Sequence, residues 1–186
     1  MRLMASAAAL VLTVGATVSP LVAGGDVRVI VAQRTLEDID FDDENQTSFG
    51  VDVRFGGDGW PVRIVAGATR VHANDGWIGT GIYGNVTEMF AGVVKEWGSG
   101  AARPFLGAGV SEVITDLEHD DRPSHGTSEG AYVHTGVCWK VGGGLLVGVE
   151  MRGLFGTNVD VAGFSTEVDY VQIGAVLGWG WGRRSP

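Results

Sequence analysis

Cysteine, lysine and proline are scarce in this chain. Of its 186 residues one is cysteine (Cys138), two are lysine (Lys95 and Lys140) and five are proline. A single cysteine excludes an internal disulfide and a cysteine-rich zinc site. Basic residues are also in deficit, with 13 Lys+Arg against 22 Asp+Glu and a formal net charge of −9. No basic face stands out, which argues against nucleic acid as a partner. Past the N-terminus no run of 18 apolar residues occurs, so no membrane-crossing helix is expected in the mature chain. Long amphipathic helical patterns are missing too. What is abundant is glycine, at 31 residues, alongside a hydrophobic content of 45%. That glycine follows no G-X-Y period, so collagen is excluded, and the apolar content is too high for a disordered chain. The length suits one domain.

The first 23 residues read as a cleaved export signal. Arg2 supplies the positive start, and Leu3 to Val18 is a run of apolar and small residues. Pro20 ends that run, and Ala23 and Gly24 offer small residues for cleavage. At about 16 residues the run is short of the roughly 20 that a membrane anchor needs. The domain expected to remain is 24–186.

From residue 26 onward the hydrophobic period is two, the mark of strands with unlike faces. Eight such segments fall near 26–34, 47–56, 61–71, 84–97, 102–114, 131–141, 144–155 and 168–181. Most are about ten residues, the length a tilted strand needs to cross a bilayer. Their connections alternate. Gly56-Gly57-Asp58-Gly59, Gly98-Ser99-Gly100-Ala101 and Gly142-Gly143 are tight turns, while 35–46, 72–83, 115–130 and 156–167 are long and polar. Eight antiparallel strands then place every long loop at one end, as in transmembrane barrels. The expected fold is all-β, an eight-stranded antiparallel up-and-down transmembrane β-barrel.

Parity separates two faces. Odd positions of the last strand give Val171, Ile173, Ala175, Leu177, Trp179 and Trp181, and even positions give Tyr170, Gln172, Gly174 and Val176. Alternation alone fits a soluble barrel with an aliphatic core equally well. Two features favour the inverse. The charge-bearing face is rich in glycine, which suits a narrow interior and would only weaken a water-exposed strand. Aromatics (Phe49, Phe55, Trp97, Trp139, Phe155, Trp179 and Trp181) cluster at the ends of the apolar face, like interfacial girdles. The expected lumen holds Arg28, Asp52, Arg54, Arg63, Glu88, Glu96, Arg103, His134, Lys140, Glu150, Arg152 and Tyr170. Both signs are present, so these groups are expected to pair.

The chain resembles the small eight-stranded bacterial outer-membrane β-barrel proteins, in their uncharacterised branch, from about residue 26 to 181. The segment Arg103-Pro104-Phe105-Leu106-Gly107-Ala108-Gly109 resembles a central strand of that group. Gln172, Gly174, Leu177 and Trp179 match its last-strand assembly signal, although five residues follow Trp181. The resemblance implies a cell outer membrane location in a Gram-negative-type bacterium, with outer-membrane lipid and the insertion machinery as partners. It implies fold and place better than activity.

Candidate sites are weak. Asp38, Asp40 and Asp42 suggest a calcium loop, but Asp43 stands where glycine is needed and Phe49 where glutamate is needed. Asp116, Glu118, His119, Asp120, Asp121 and His125 lack a diagnostic metal spacing. Ser128, His134 and Glu129 are the nearest approach to a lipid-modifying catalytic set, but Gly136 stands where a His-x-Ser pairing would put serine. Cys138 reads as a small buried filler. The expectation is a non-enzymatic barrel with a filled polar lumen and acidic outer loops, without cofactor, in a structural or surface-interaction role. Its rivals are a narrow conduit for small or hydrophobic solutes, a lipid-modifying enzyme and a secreted soluble barrel.

Overall fold

In a computed structural model the described residues are 24–36, 45–56, 60–73, 83–98, 100–119, 122–161, 164–167 and 169–182. The expected export signal at 1–23, the acidic run 37–44, the turn residues 57–59, residues 74–82 of the expected long connection 72–83, and Asp120 and Asp121 lie outside them.

Ten strands follow in order: β1 (Gly24–Leu36), β2 (Asn45–Gly56), β3 (Arg63–Ala73), β4 (Tyr83–Glu96), β5 (Ala102–His119), β6 (Arg122–Gly142), β7 (Leu145–Phe155), β8 (Asn158–Val161), β9 (Phe164–Glu167) and β10 (Tyr170–Trp181). Eight close into a barrel of order β1-β10-β7-β6-β5-β4-β3-β2, and β8 and β9 form a separate two-stranded sheet. All pairings are antiparallel, and β1 against β10 closes the wall from Gly25↔Trp181 to Leu36↔Tyr170. Closure leaves no barrel edge with unpaired backbone, the condition for β-structure in hydrocarbon.

Two expectations need correction. Residues 115–130 are not a long loop. β5 and β6 run on through them, with register kept from Val110↔Ala131 to His119↔Arg122. The apolar signal fades past Ile114, but strand pairing continues above it, and a polar ribbon has no period-two hydrophobicity to read. Residues 156–167 contain the β8–β9 hairpin, whose four-residue strands are too short for a periodic pattern. At the other end β3 starts at Arg63 rather than residue 61, because Pro61 has no N–H to give a ladder. The tight turn at Gly142–Gly144 takes φ of 131°, 58° and 97°, a left-handed run that side chains rarely adopt.

The faces divide as the parity predicts. Buried residues point inward, and apolar residues stand exposed outside, with Val110 at 68% and Ile173 at 63%. Outward positions are free of charge between Lys95 near the tight-turn end and Arg70, Glu112 and Glu129 near the other. Thr135 lies inside this band and satisfies its hydroxyl on the Phe105 carbonyl at 2.9 Å. Four exposed aromatics, Trp60, Trp97, Trp139 and Trp179, rim the tight-turn end, whereas Phe49 and Phe155 stand nearer the loops.

Glycine on the inner face makes room for what fills it. A Cβ at Gly109 would lie 2.2 Å from the Ala91 carbonyl and 2.7 Å from the Tyr132 ring, and one at Gly136 would lie 2.8 Å from the Phe105 ring. Gly109→Val is therefore expected to destabilise the barrel by about 1–3 kcal/mol or more through overpacking. Ala108→Val, one residue on and facing outward, should be tolerated. Urea midpoints of the two variants in detergent check this.

Candidate functional site

Among the described residues the lumen concentrates polar chemistry. Strand alternation sends side chains from all eight barrel strands into it. Small residues on facing strands allow six arginines (Arg28, Arg34, Arg54, Arg63, Arg103 and Arg152) to meet Asp26, Asp52, Glu88, Glu96 and Glu150.

Toward the loops the centre is Glu88. It accepts from the Arg152 guanidinium and the Tyr170 hydroxyl, from Ser111 Oγ at 2.6 Å and from Thr69 Oγ1 at 3.3 Å, with Arg34 Nη2 at 3.6 Å. The Arg152 guanidinium carbon lies 3.9 Å from the ring centres of both Phe90 and Tyr132, and that of Arg34 lies 3.6 Å from the Tyr170 ring centre. In the middle, Arg54 donates Nη2 to Glu150 at 3.1 Å and reaches Asp52 at 3.3 Å, over the Phe105 ring. His134 Nδ1 lies 3.4 Å from Glu150, and its ring meets Phe105 and Tyr132 edge-on. Toward the tight turns, Asp26 takes Arg28 and, at 2.6 Å, Arg63 Nη1. Glu96 takes Arg28 at 3.0 Å and Arg63 at 3.2 Å. Arg28 also donates to Cys138 Sγ at 3.2 Å, so the thiol is a packed interior group.

Every residue predicted for the lumen lies on the inner face. Arg54, Glu88, His134 and Arg152 are at most 1% exposed, so the middle of the barrel is filled. Arg63 and Arg103 are half-buried, and Lys140 is exposed at the tight-turn mouth. Sequence reasoning left out Asp26 and Arg34, which the same parity would have included, and Ser111, Thr69 and Tyr132. Those three are uncharged, and only the register of neighbouring strands shows them beside Glu88 and Arg152.

Among the described residues the rival sites do not assemble. Ser128 and His134 are six residues apart on β6, roughly 20 Å at the rise of a strand. Ser128 Oγ accepts the Asn158 N–H at 2.7 Å, and Glu129 points to the opposite face. Asp116 meets His125 Nδ1 at 2.6 Å. Among the described residues no three His, Cys, Asp or Glu side chains gather as a metal site. Of the assembly-signal residues, Gln172 and Gly174 face inward and Leu177 and Trp179 outward.

No family model and no curated protein sequence matches the chain. Solved structures do. The chain is similar to Neisserial surface protein A, with TM-score 0.62 and 14% identity over 86% of this chain and 97% of that one. It is similar to the N-terminal β-barrel domain of Pseudomonas aeruginosa OprF, with TM-score 0.57 and 13% identity over 84% and 97%. It is also similar to Ail, the attachment invasion locus protein of Yersinia pestis, with TM-score 0.54 and 8% identity over 86% and 97%. The fold is that of the small eight-stranded outer-membrane barrels. At these identities the likeness is one of architecture.

At the loop end, Asp169 ties the chain back onto the barrel. Its carboxylate accepts the Gly156 N–H at 2.8 Å, the Thr157 N–H at 2.8 Å and the Thr157 hydroxyl at 2.6 Å. Partial burial pushes its pKa up, but these three donors outweigh it and hold the carboxyl below its ordinary value. A depressed carboxylate pKa stabilises the fold at neutral pH, and that contribution is lost as pH falls through the depressed value. Asp169→Asn is expected to speed amide exchange at Gly156 and Thr157 near pH 6, with little change in the barrel strands.

The Glu88 cluster gives a sharper test. Glu88→Gln leaves Arg152 and Arg34 buried with a neutral partner and should cost about 3–5 kcal/mol. Glu88→Gln combined with Arg152→Gln should cost less than the sum of the two single changes. A double-mutant cycle on urea unfolding in detergent reads the coupling.

Proposed function

We propose that this chain is an outer-membrane β-barrel whose lumen is a structural plug and whose work is done at the cell surface by its acidic loops. The observation that carries this reading is the inverted polarity. A charge-free, exposed apolar band surrounds a core of ion pairs, the arrangement of a wall that faces lipid. Outer-membrane lipid is then the solvent of the band, and the last strand, with Gln172, Gly174, Leu177 and Trp179, carries the signal for the insertion machinery. No catalytic role is assigned.

The loop chemistry narrows the partner. Residues 37–44 hold six carboxylates and no Lys or Arg, and the β5–β6 ribbon at 112–129, at the same end, holds six against Arg122 alone. Ail is described in complex with the heparin analogue sucrose octasulfate, a polyanion. The acidic loops here disfavour such a ligand and favour cationic surfaces.

Expression in a Gram-negative host tests the proposal. The protein should sediment with the outer membrane, and its gel mobility should shift between unheated and boiled samples. Purified protein should give no discrete currents in planar bilayers. A soluble periplasmic product without a mobility shift would overturn the membrane assignment. Steady unitary currents would overturn the plugged lumen and leave a conduit.

A further inference from the structure

We infer that the vestibule at the tight-turn end of the lumen binds a small anion of the phosphate or phosphate-ester class. It is an open cavity of about 880 Å³, within the range of ligand pockets. Its floor is the Arg28 ion-pair layer, so it is a blind pocket entered from one end. The glycines 142–144 and Gly180 on its lining leave that entrance uncrowded.

The charge balance of its walls is uneven. Among the described residues Asp26 and Glu96 are the carboxylates that line it, and both are engaged by Arg28 and Arg63. Arg103 and Lys140 line it as well. The nearest carboxylate oxygen to Arg103 is Glu96 Oε2, at 4.0 Å, and its Nε is buried with no acceptor. Lys140 has no ion pair or hydrogen-bond partner from its side chain among the described residues. Arg103 pairs across strands with Cys138, which puts Lys140, two residues along β6, diagonally beside it on the same inner face. Two like charges on neighbouring strands repel unless a counter-charge lies between them.

Among the described residues four cations, Arg28, Arg63, Arg103 and Lys140, therefore face two carboxylates around one cavity, in a chain whose net charge is −9. A tetrahedral oxyanion meets this set best. It offers several acceptor oxygens, two of which match the guanidinium fork while others remain for lysine. Free phosphate compounds and anionic lipid headgroups share this chemistry.

The full-length protein, in a maltoside detergent that carries no phosphate, is titrated with pyrophosphate and, separately, with short-chain phosphatidylglycerol. The readout is the ¹H–¹⁵N backbone signals of Gly143 and Gly144, which line the vestibule. We expect a saturable shift below about 10 mM, the affinity that a few charge-assisted hydrogen bonds supply. Saturation by pyrophosphate identifies a soluble anion, and saturation by the lipid alone identifies a headgroup. Arg103→Gln/Lys140→Gln should weaken the response at least tenfold while keeping the heat-dependent gel shift. If the double variant does not fold, Lys140→Gln, at an exposed position, must weaken it alone. A linear, non-saturating shift with both probes, or equal affinity in the folded variants, overturns the proposal.

Discussion

Everything in this barrel depends on holding arginines in a space that water fills poorly. A guanidinium without partners in such a place costs several kcal/mol, so each must be given oxygen and ring neighbours. Glu88 is the clearest solution. One carboxylate gathers two arginines, a tyrosine and two hydroxyls, drawn from β1, β3, β4, β5, β7 and β10. Such a cluster exists only if all of those strands are in register, so it ties the wall together across its diameter. The aromatic rings of Phe90, Tyr132, Tyr170 and Phe105 take the remaining guanidinium faces. Glycine then becomes necessary opposite these large groups, and the unusual glycine content follows from the filling of the lumen.

Much of this was legible in the residues. The period of two, the alternation of tight and long connections and the inward parity of Arg54, Glu88, Glu150 and Arg152 follow from strand geometry alone. What stayed hidden has a common cause. Hydrophobic periodicity reports an environment, and it falls silent where both faces of a strand are polar. The upper halves of β5 and β6 are of that kind, with Asp116 opposite His125, and they read as a loop. Partner identity was hidden for another reason. That Ser111 and Tyr170 both serve Glu88 depends on register and barrel closure, which no single strand encodes. Ser128, Glu129 and His134 show the reverse error, since closeness in sequence along one strand separates side chains by face and by distance.

The two ends of the molecule differ in chemistry. The loop end carries carboxylates in excess and a turn clamped by Asp169. The tight-turn end carries tryptophans outside and surplus cations inside. Between them the filled middle, with His134 and Arg54 almost fully buried, separates the two aqueous faces. The ends are thus chemically independent, joined by a rigid polar core.

The central claim is that the valine-bearing face meets lipid while the charged face is inside. Spin-label accessibility along β10 tests it most directly. Labels are placed one at a time from Val171 to Trp179, on a Cys138→Ser background in lipid bilayers. Odd positions should be reached by dissolved oxygen and shielded from a water-soluble relaxant, and even positions should be shielded from both. Even positions open to the aqueous relaxant, with odd positions closed to both probes, would contradict the account and make the aliphatic face a soluble core.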